Sequence, residues 1–201
     1  MRYGSVEWAY AEPIARALQE SAEFRRWFLN QTRFGIHARN AVLLHEPMKS
    51  QRSASAESWW RSHYTEKCRC PGCSGQETDL LAVFDSAGTR FALHVEIKRP
   101  GDSFPAHKDQ AGNYRLRAAC WARQAPAAVL PHNDADTILV CAESQMAEFA
   151  PHLSKFGAAL TFEVIAQALP QGCAFPQSHS SLDSAYRPGQ KILSALRSSQ
   201  Q

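Results

Sequence analysis

The sequence predicts an α/β domain organised around a mixed β-sheet flanked by helices. Three observations carry that reading. Asp79 to Phe84 and Phe91 to Ile97 are apolar-rich and are joined by Ser86-Ala87-Gly88-Thr89, a composition that suits a tight hairpin turn. The predicted elements run helix, strand, strand, strand, helix, strand, which mixes the two types within one core. A chain of 201 residues is long enough for one well-buried domain and short for two.

Taken in order, the first helical stretch begins near Pro13 and turns Ile14, Ala17 and Leu18 inward. A second runs from about Ala22 to Leu29, where Phe24, Trp27 and Phe28 recur at helical spacing. Ala41 to Leu44 is a short apolar run that suits a buried strand, with a helical turn as the alternative. Met48 to Ala54 is polar and small-residue-rich and reads as a loop. Ser55 is placed to cap a short helix opening at Ala56 and ending before the first cysteines. After the hairpin come a helix from about His107 to Arg123, a strand from Thr137 to Cys141, and a helix from Ser144 to Phe156. A strand from Ala159 to Ile165 and a helix from about Pro188 to Arg197 complete the chain, with a polar, frayed end.

Composition is that of a globular protein, 44% hydrophobic and 20% charged. No apolar run approaches the length of a membrane span, which excludes an integral membrane protein of the helical type. The N-terminal residues carry no export signal, so a cytoplasmic location is expected. Net charge is +3 and the isoelectric point about 8.6, compatible with nucleic acid without requiring it.

The chemistry concentrates on the hairpin. If the turn is centred between Ala87 and Gly88, Asp79 lies across from Glu96 and Glu77 across from Lys98. Alternation then places Leu80, Ala82, Phe84, Phe91, Leu93, Val95 and Ile97 on one wholly apolar face. The other face carries Glu77, Asp79, Leu81, Val83, Ala92, His94, Glu96 and Lys98, with its charges together at the open end. A one-residue slip would mix these sets, so the segregation supports the register. Two carboxylates directly opposed repel by up to about 1 kcal/mol. Lys98 offsets part of that, and a hard divalent cation would offset more. Such a trio suits metal-assisted phosphodiester hydrolysis, in which the lysine stabilises developing charge or orients water. A lone Glu-x-Lys on a strand is otherwise an ordinary solvated salt bridge.

Glu77-Thr78-Asp79-Leu80-Leu81, Val95-Glu96-Ile97-Lys98 and Gln110-Ala111-Gly112-Asn113-Tyr114 together resemble the motifs of the PD-(D/E)XK nuclease superfamily, with its restriction-endonuclease-like fold. The third looks like the Gln-x-x-x-Tyr motif of RecB-like members, and the likeness covers roughly residues 21 to 142. Thr78 stands where the family usually has proline. The resemblance implies DNA cleavage with Asp79 and Glu96 as magnesium (or manganese) ligands, joined by the Ile97 carbonyl. It implies that Lys98 serves the attacking water, and that an acid on the first family helix, here Glu23 or the nearby Glu20, adds to the metal site. Gln110 and Tyr114, four residues apart, share a helix face and read equally as site residues or as a surface polar pair. Lys98, Arg99, Lys108, Arg115 and Arg117 form the densest basic region, suited to tracking phosphates or to a solvated surface. RNA as substrate and a homodimer both stay open.

The six cysteines divide into a cluster, Cys68, Cys70 and Cys73, and three scattered residues, Cys120, Cys141 and Cys173. With His63, or His45 in its place, the cluster has the ligands and spacing of a structural zinc site, in a small insertion of about residues 57 to 76 before the acid-bearing strand. The scattered cysteines read as small core residues.

Overall fold

The computed structural model describes residues 5–52, 58–60 and 78–176. Its framework is a five-stranded mixed sheet in the order β1-β2-β3-β4-β5, namely Val42–Leu43, Leu80–Ser86, Thr89–Ile97, Asp134–Cys141 and Ala158–Thr161. The first three strands form an antiparallel meander, and β4 and β5 join parallel to β3. Among the described residues six α-helices accompany it: α1 Ser5–Glu20, α2 Ala22–Asn30, α3 His45–Arg52, α4 Gln110–Arg123, α5 Met146–Leu153 and α6 Phe162–Ala168. No helix among the described residues is long and apolar enough to cross a membrane.

The hairpin register follows from its sequence pattern. Leu80 pairs with Val95, and the ladder runs to Ser86 opposite Thr89, so partners sum to the same number throughout. Ala87 and Gly88 lie between them at φ 52° and 83°. Two consecutive positive φ values are what a two-residue type I′ turn requires, and its twist matches that of the flanking strands. Glycine adopts that conformation freely; alanine does so at a cost of about 1 kcal/mol.

Lying in mid-sheet, β3 is hydrogen-bonded along both edges and covered on both faces, so every residue from Phe91 to Lys98 is buried. The apolar face holds Leu80, Phe84, Phe91 and Val95 in one cluster with Ile14 and Leu18 of α1 and Phe24 and Phe28 of α2. Removing an aromatic or branched aliphatic side chain of that kind from water contributes about 1.5–3 kcal/mol. The opposite face is roofed by α4, which packs on β3 and β4 and sets Trp121 against the His94 ring at 5.2 Å. Tyr114 meets Leu139, Cys141, Phe149 and Phe156 in a second, smaller cluster beneath the same helix. Cys141 is buried, and Cys120 and Cys173 are half-buried against the core.

Several elements differ from the sequence reading. Helix α1 begins at Ser5, well before Pro13, which it contains; Ala11, Ile14, Ala15 and Leu18 form one continuous buried stripe across the proline. His45–Arg52 is helical where a loop was expected from Met48, because one anchor suffices: Met48 is buried and its sulfur accepts the Val83 N–H. The other residues of α3 are polar apart from Pro47 and none is buried, which hides a helix from composition. The apolar run at Ala41 yields only a two-residue edge strand with Val42 exposed. The strand expected to reach Ile165 stops at Thr161, whose hydroxyl accepts the Val164 N–H and caps α6. Ser58–Trp60 are not helical, although both tryptophans are buried and Trp59 Nε1 donates to Gln19 at 2.8 Å. The expected cap at Ser55, Glu77, His63, Cys68, Cys70, Cys73 and the closing helix lie outside the described residues.

Substituting Ala87 by asparagine, which tolerates positive φ, is expected to stabilise the protein by about 0.5–1 kcal/mol. Urea unfolding would show it as a higher midpoint at unchanged slope; an equal or lower midpoint would contradict the turn geometry.

Candidate active site

At the C-terminal end of β3 the strand's polar face changes from Ala92 and His94 to the charged pair Glu96 and Lys98, still buried. Continuing the observed register by one residue puts Asp79 opposite Glu96. Asp79 turns one carboxylate oxygen onto the Ile97 N–H at 2.6 Å, so the acid closes the end of the hairpin ladder. The Lys98 N–H donates to the Val140 carbonyl at 2.8 Å and prolongs the pairing with β4. Backbone pairing with β4 on one side and the Asp79 carboxylate on the other therefore fix Glu96, Ile97 and Lys98.

Glu96 and Lys98, two apart on one strand face, form an ion pair with Nζ 2.7 Å from Oε1. Glu96 is only 2% exposed and Lys98 8%, so the pair is screened little by solvent. The ammonium also donates to Gln110 Oε1 at 2.9 Å. Taking both charges out of water costs several kcal/mol per ion, and only good geometry and additional hydrogen bonds repay it.

The start of α4 supplies those bonds. Asp109 caps the helix, accepting the Gly112 N–H at 3.0 Å, and is itself held by Lys155 Nζ at 2.7 Å. A Cβ at position 112 would stand 2.4 Å from the Asp109 carboxylate, so glycine lets the cap sit in this close position without the carboxylate shifting. The cap orients Gln110 toward Lys98. One turn on, Tyr114 comes to Glu96 with its hydroxyl in hydrogen-bond contact. Burial first, then the negative charges of Asp79 and Glu96, push the Tyr114 phenol well above its ordinary pKa; Arg117 acts in the opposite direction. One buried phenol thus senses both carboxylates. It stays protonated at any ordinary pH and donates to Glu96.

Arg117 completes this wall of α4. Its guanidinium lies 4.5 Å from the Tyr114 ring centre and 5.4 Å from that of Trp121, and the residue is 0% exposed. Neither Arg117 nor Lys98 belongs to a phosphate-tracking surface; of the basic stretch, Arg115 is exposed and Lys108 half-buried. The signal for Arg117 was present as Tyr114, Arg117 and Trp121 on one helix face.

Six of the sequence-derived site residues, Asp79, Glu96, Ile97, Lys98, Gln110 and Tyr114, therefore meet in one network. Glu23 stands apart. It is exposed on α2 and lines a cleft of about 410 Å³ against α6 with Trp27, Val164 and Gln167, none of them part of that network. Two residues that sequence reasoning missed also touch the site. Phe104 places its ring 4.8 Å from Lys98 Nζ. Gln145, buried, donates to the carbonyls of Arg99 and Asp102, both at 3.0 Å, and accepts the Ala142 N–H at 3.1 Å, tying the chain that leaves β3 to the chain that leaves β4. Neither carries a motif, because each acts through a contact distant in sequence.

Among the described residues no three His, Cys, Asp or Glu side chains converge as a metal-holding group. Asp79 and Glu96 are a two-carboxylate set. Magnesium suits such a set, since it takes one or two carboxylates and keeps several waters. The chain matches no family model, no curated protein and no solved structure.

Lys98→Met leaves the Glu96 carboxylate buried without its ammonium, and is expected to lower the metal-free unfolding free energy by about 3–5 kcal/mol. Adding Glu96→Gln to that variant should recover most of the loss in a double-mutant cycle followed by urea unfolding. Additive effects would contradict a directly coupled pair.

Proposed function

We propose that this chain is a divalent-metal-dependent nuclease that hydrolyses phosphodiester bonds in DNA, on a restriction-endonuclease-like core. The observation that carries the reading is the convergence of Asp79, Glu96, Lys98, Gln110 and Tyr114 at the end of one hairpin. The antiparallel meander followed by a helix and a parallel strand supports it as well, since that is the element order expected from the motifs.

In this reading Asp79, Glu96 and the Ile97 carbonyl hold magnesium or manganese. A bound ion of this kind polarises a phosphoryl oxygen and lowers the pKa of its water. The chain's own residues do the rest. Tyr114 donates to Glu96 and fixes which way that carboxylate faces. Gln110 accepts from Lys98 and fixes the ammonium beside the acids. Lys98 then presents positive charge where the attacking water and the phosphate's developing negative charge must lie. Donors positioned before reaction need no reorganisation during it, which is why such placement can account for two to three orders of magnitude in rate.

Plasmid and linear DNA incubated with the purified protein and magnesium or manganese should be cleaved, and chelation should stop the reaction. Asp79→Asn, Glu96→Gln and Lys98→Gln are each expected to lower the rate about 100-fold or more while retaining the fold by circular dichroism. Cleavage at the wild-type rate by these variants would refute the site. Salt-dependent DNA binding with no turnover under any divalent ion would instead favour a binding module on the same fold.

Zinc bound by His63, Cys68, Cys70 and Cys73 is proposed from the sequence alone. Elemental analysis should find about one zinc per chain, and replacing Cys70 and Cys73 by serine should abolish it. Retention of full zinc occupancy by that double variant would rule out the assignment.

A further inference from the structure

The Lys98 ammonium has three N–H bonds and two oxygen acceptors that are resolved by geometry, Glu96 at 2.7 Å and Gln110 at 2.9 Å. On a further side lies the ring of Phe104, with its centre 4.8 Å from Nζ, inside the range in which an aromatic face attracts a cation. The ring is packed among other aromatic side chains. Phe149 meets it edge-on at 5.1 Å, His152 lies at 4.3 Å and Phe156 at 6.2 Å. The chain that brings Phe104 back to Lys98 is equally constrained. Asp102 accepts from the backbone N–H of Arg99 and from its guanidinium at 2.8–2.9 Å, and Gln145 donates to the carbonyls of both residues.

We infer that Phe104 is a positioning residue for Lys98: its π-face holds the ammonium beside Glu96 and Gln110 and keeps water from that side. This rests on the nuclease reading for its catalytic consequence, but the contact itself does not. An aromatic face attracts a cation yet accepts hydrogen bonds weakly. It therefore steers the ammonium without competing with a phosphate or water oxygen for its N–H groups. A leucine in its place would fill much of the same volume and leave the lysine free to swing toward solvent. Tyrosine would preserve the face.

The test compares the full-length wild type with Phe104→Leu and Phe104→Tyr. Magnesium-dependent cleavage by Phe104→Leu should show kcat lowered about ten-fold, with KM within about two-fold of wild type, and Phe104→Tyr should restore most of kcat. Independently of activity, the ε-methylene protons of Lys98, assigned by their loss in Lys98→Arg, should be shifted upfield by the ring in wild type. They should return to the ordinary lysine position in Phe104→Leu. Wild-type kcat in Phe104→Leu, an equal loss in the leucine and tyrosine variants, or an unshifted Lys98 signal in wild type would each overturn the assignment. If the wild type cleaves nothing while the Lys98 signal is ring-shifted, the nuclease reading fails and the Phe104–Lys98 contact stands.

Discussion

An ion pair sits at the end of the central strand, and much of the local architecture follows from keeping it there. Glu96 and Lys98 are almost wholly removed from solvent. In water the two charges would be solvated cheaply; under α4 they must be satisfied by protein groups, and each demands specific partners. Gln110 and Tyr114 answer that demand from the first two turns of the helix, and they can do so only if α4 starts at the right residue and points the right way. The Asp109 cap, the glycine that makes room for it and the Lys155 clamp set that start. Charge burial on β3 is thus linked, through four side chains, to the capping chemistry of a helix a dozen residues downstream.

The register of the hairpin was legible in the sequence because two independent signals agree on it. One face is wholly apolar and the charges Asp79, Glu96 and Lys98 all fall on the other, which favours one pairing, and the Ala87-Gly88 turn selects the same one. Position 79 opposite 96 follows arithmetically. Gln110 and Tyr114 were legible as a pair from their spacing, although spacing left their role open between site and surface. The helix His45–Arg52 was hidden for a physical reason: it buries one methionine and exposes the rest, so its composition is that of a loop. The end of β5 was hidden because Phe162, Val164 and Ile165 are as apolar as a strand, and only the Thr161 hydroxyl marks the change to a helix. Phe104 and Gln145 were invisible because loop residues show no periodicity, and what they touch is decided by the tertiary fold.

The burial of Arg117 changes how the basic stretch of α4 is understood. A count of lysines and arginines around it suggests a nucleic-acid surface, yet Lys98 and Arg117 turn inward, while Arg115 and Arg123 face outward. Arginine suits an inward position better than lysine would. Its planar cation is weakly hydrated and is attracted by aromatic faces, and here it lies within cation–π range of both Tyr114 and Trp121. It adds permanent positive charge behind the phenol that contacts Glu96.

Four charges consequently surround Tyr114, two carboxylates and two cations, and the local sum is near zero. Asp79 and Glu96 raise the phenol's pKa while Arg117 opposes them, and Lys98 neutralises Glu96 directly. The two carboxylates are thus matched by two cations within the same network. That balance has a further consequence for the proposed activity. A divalent cation added alone would leave the site with excess positive charge in a poorly solvated place, whereas a phosphodiester brings the compensating negative charge. Cation and substrate therefore reinforce one another's binding, and the lysine, already fixed between Glu96, Gln110 and Phe104, is positioned to meet the anion when the pair is complete.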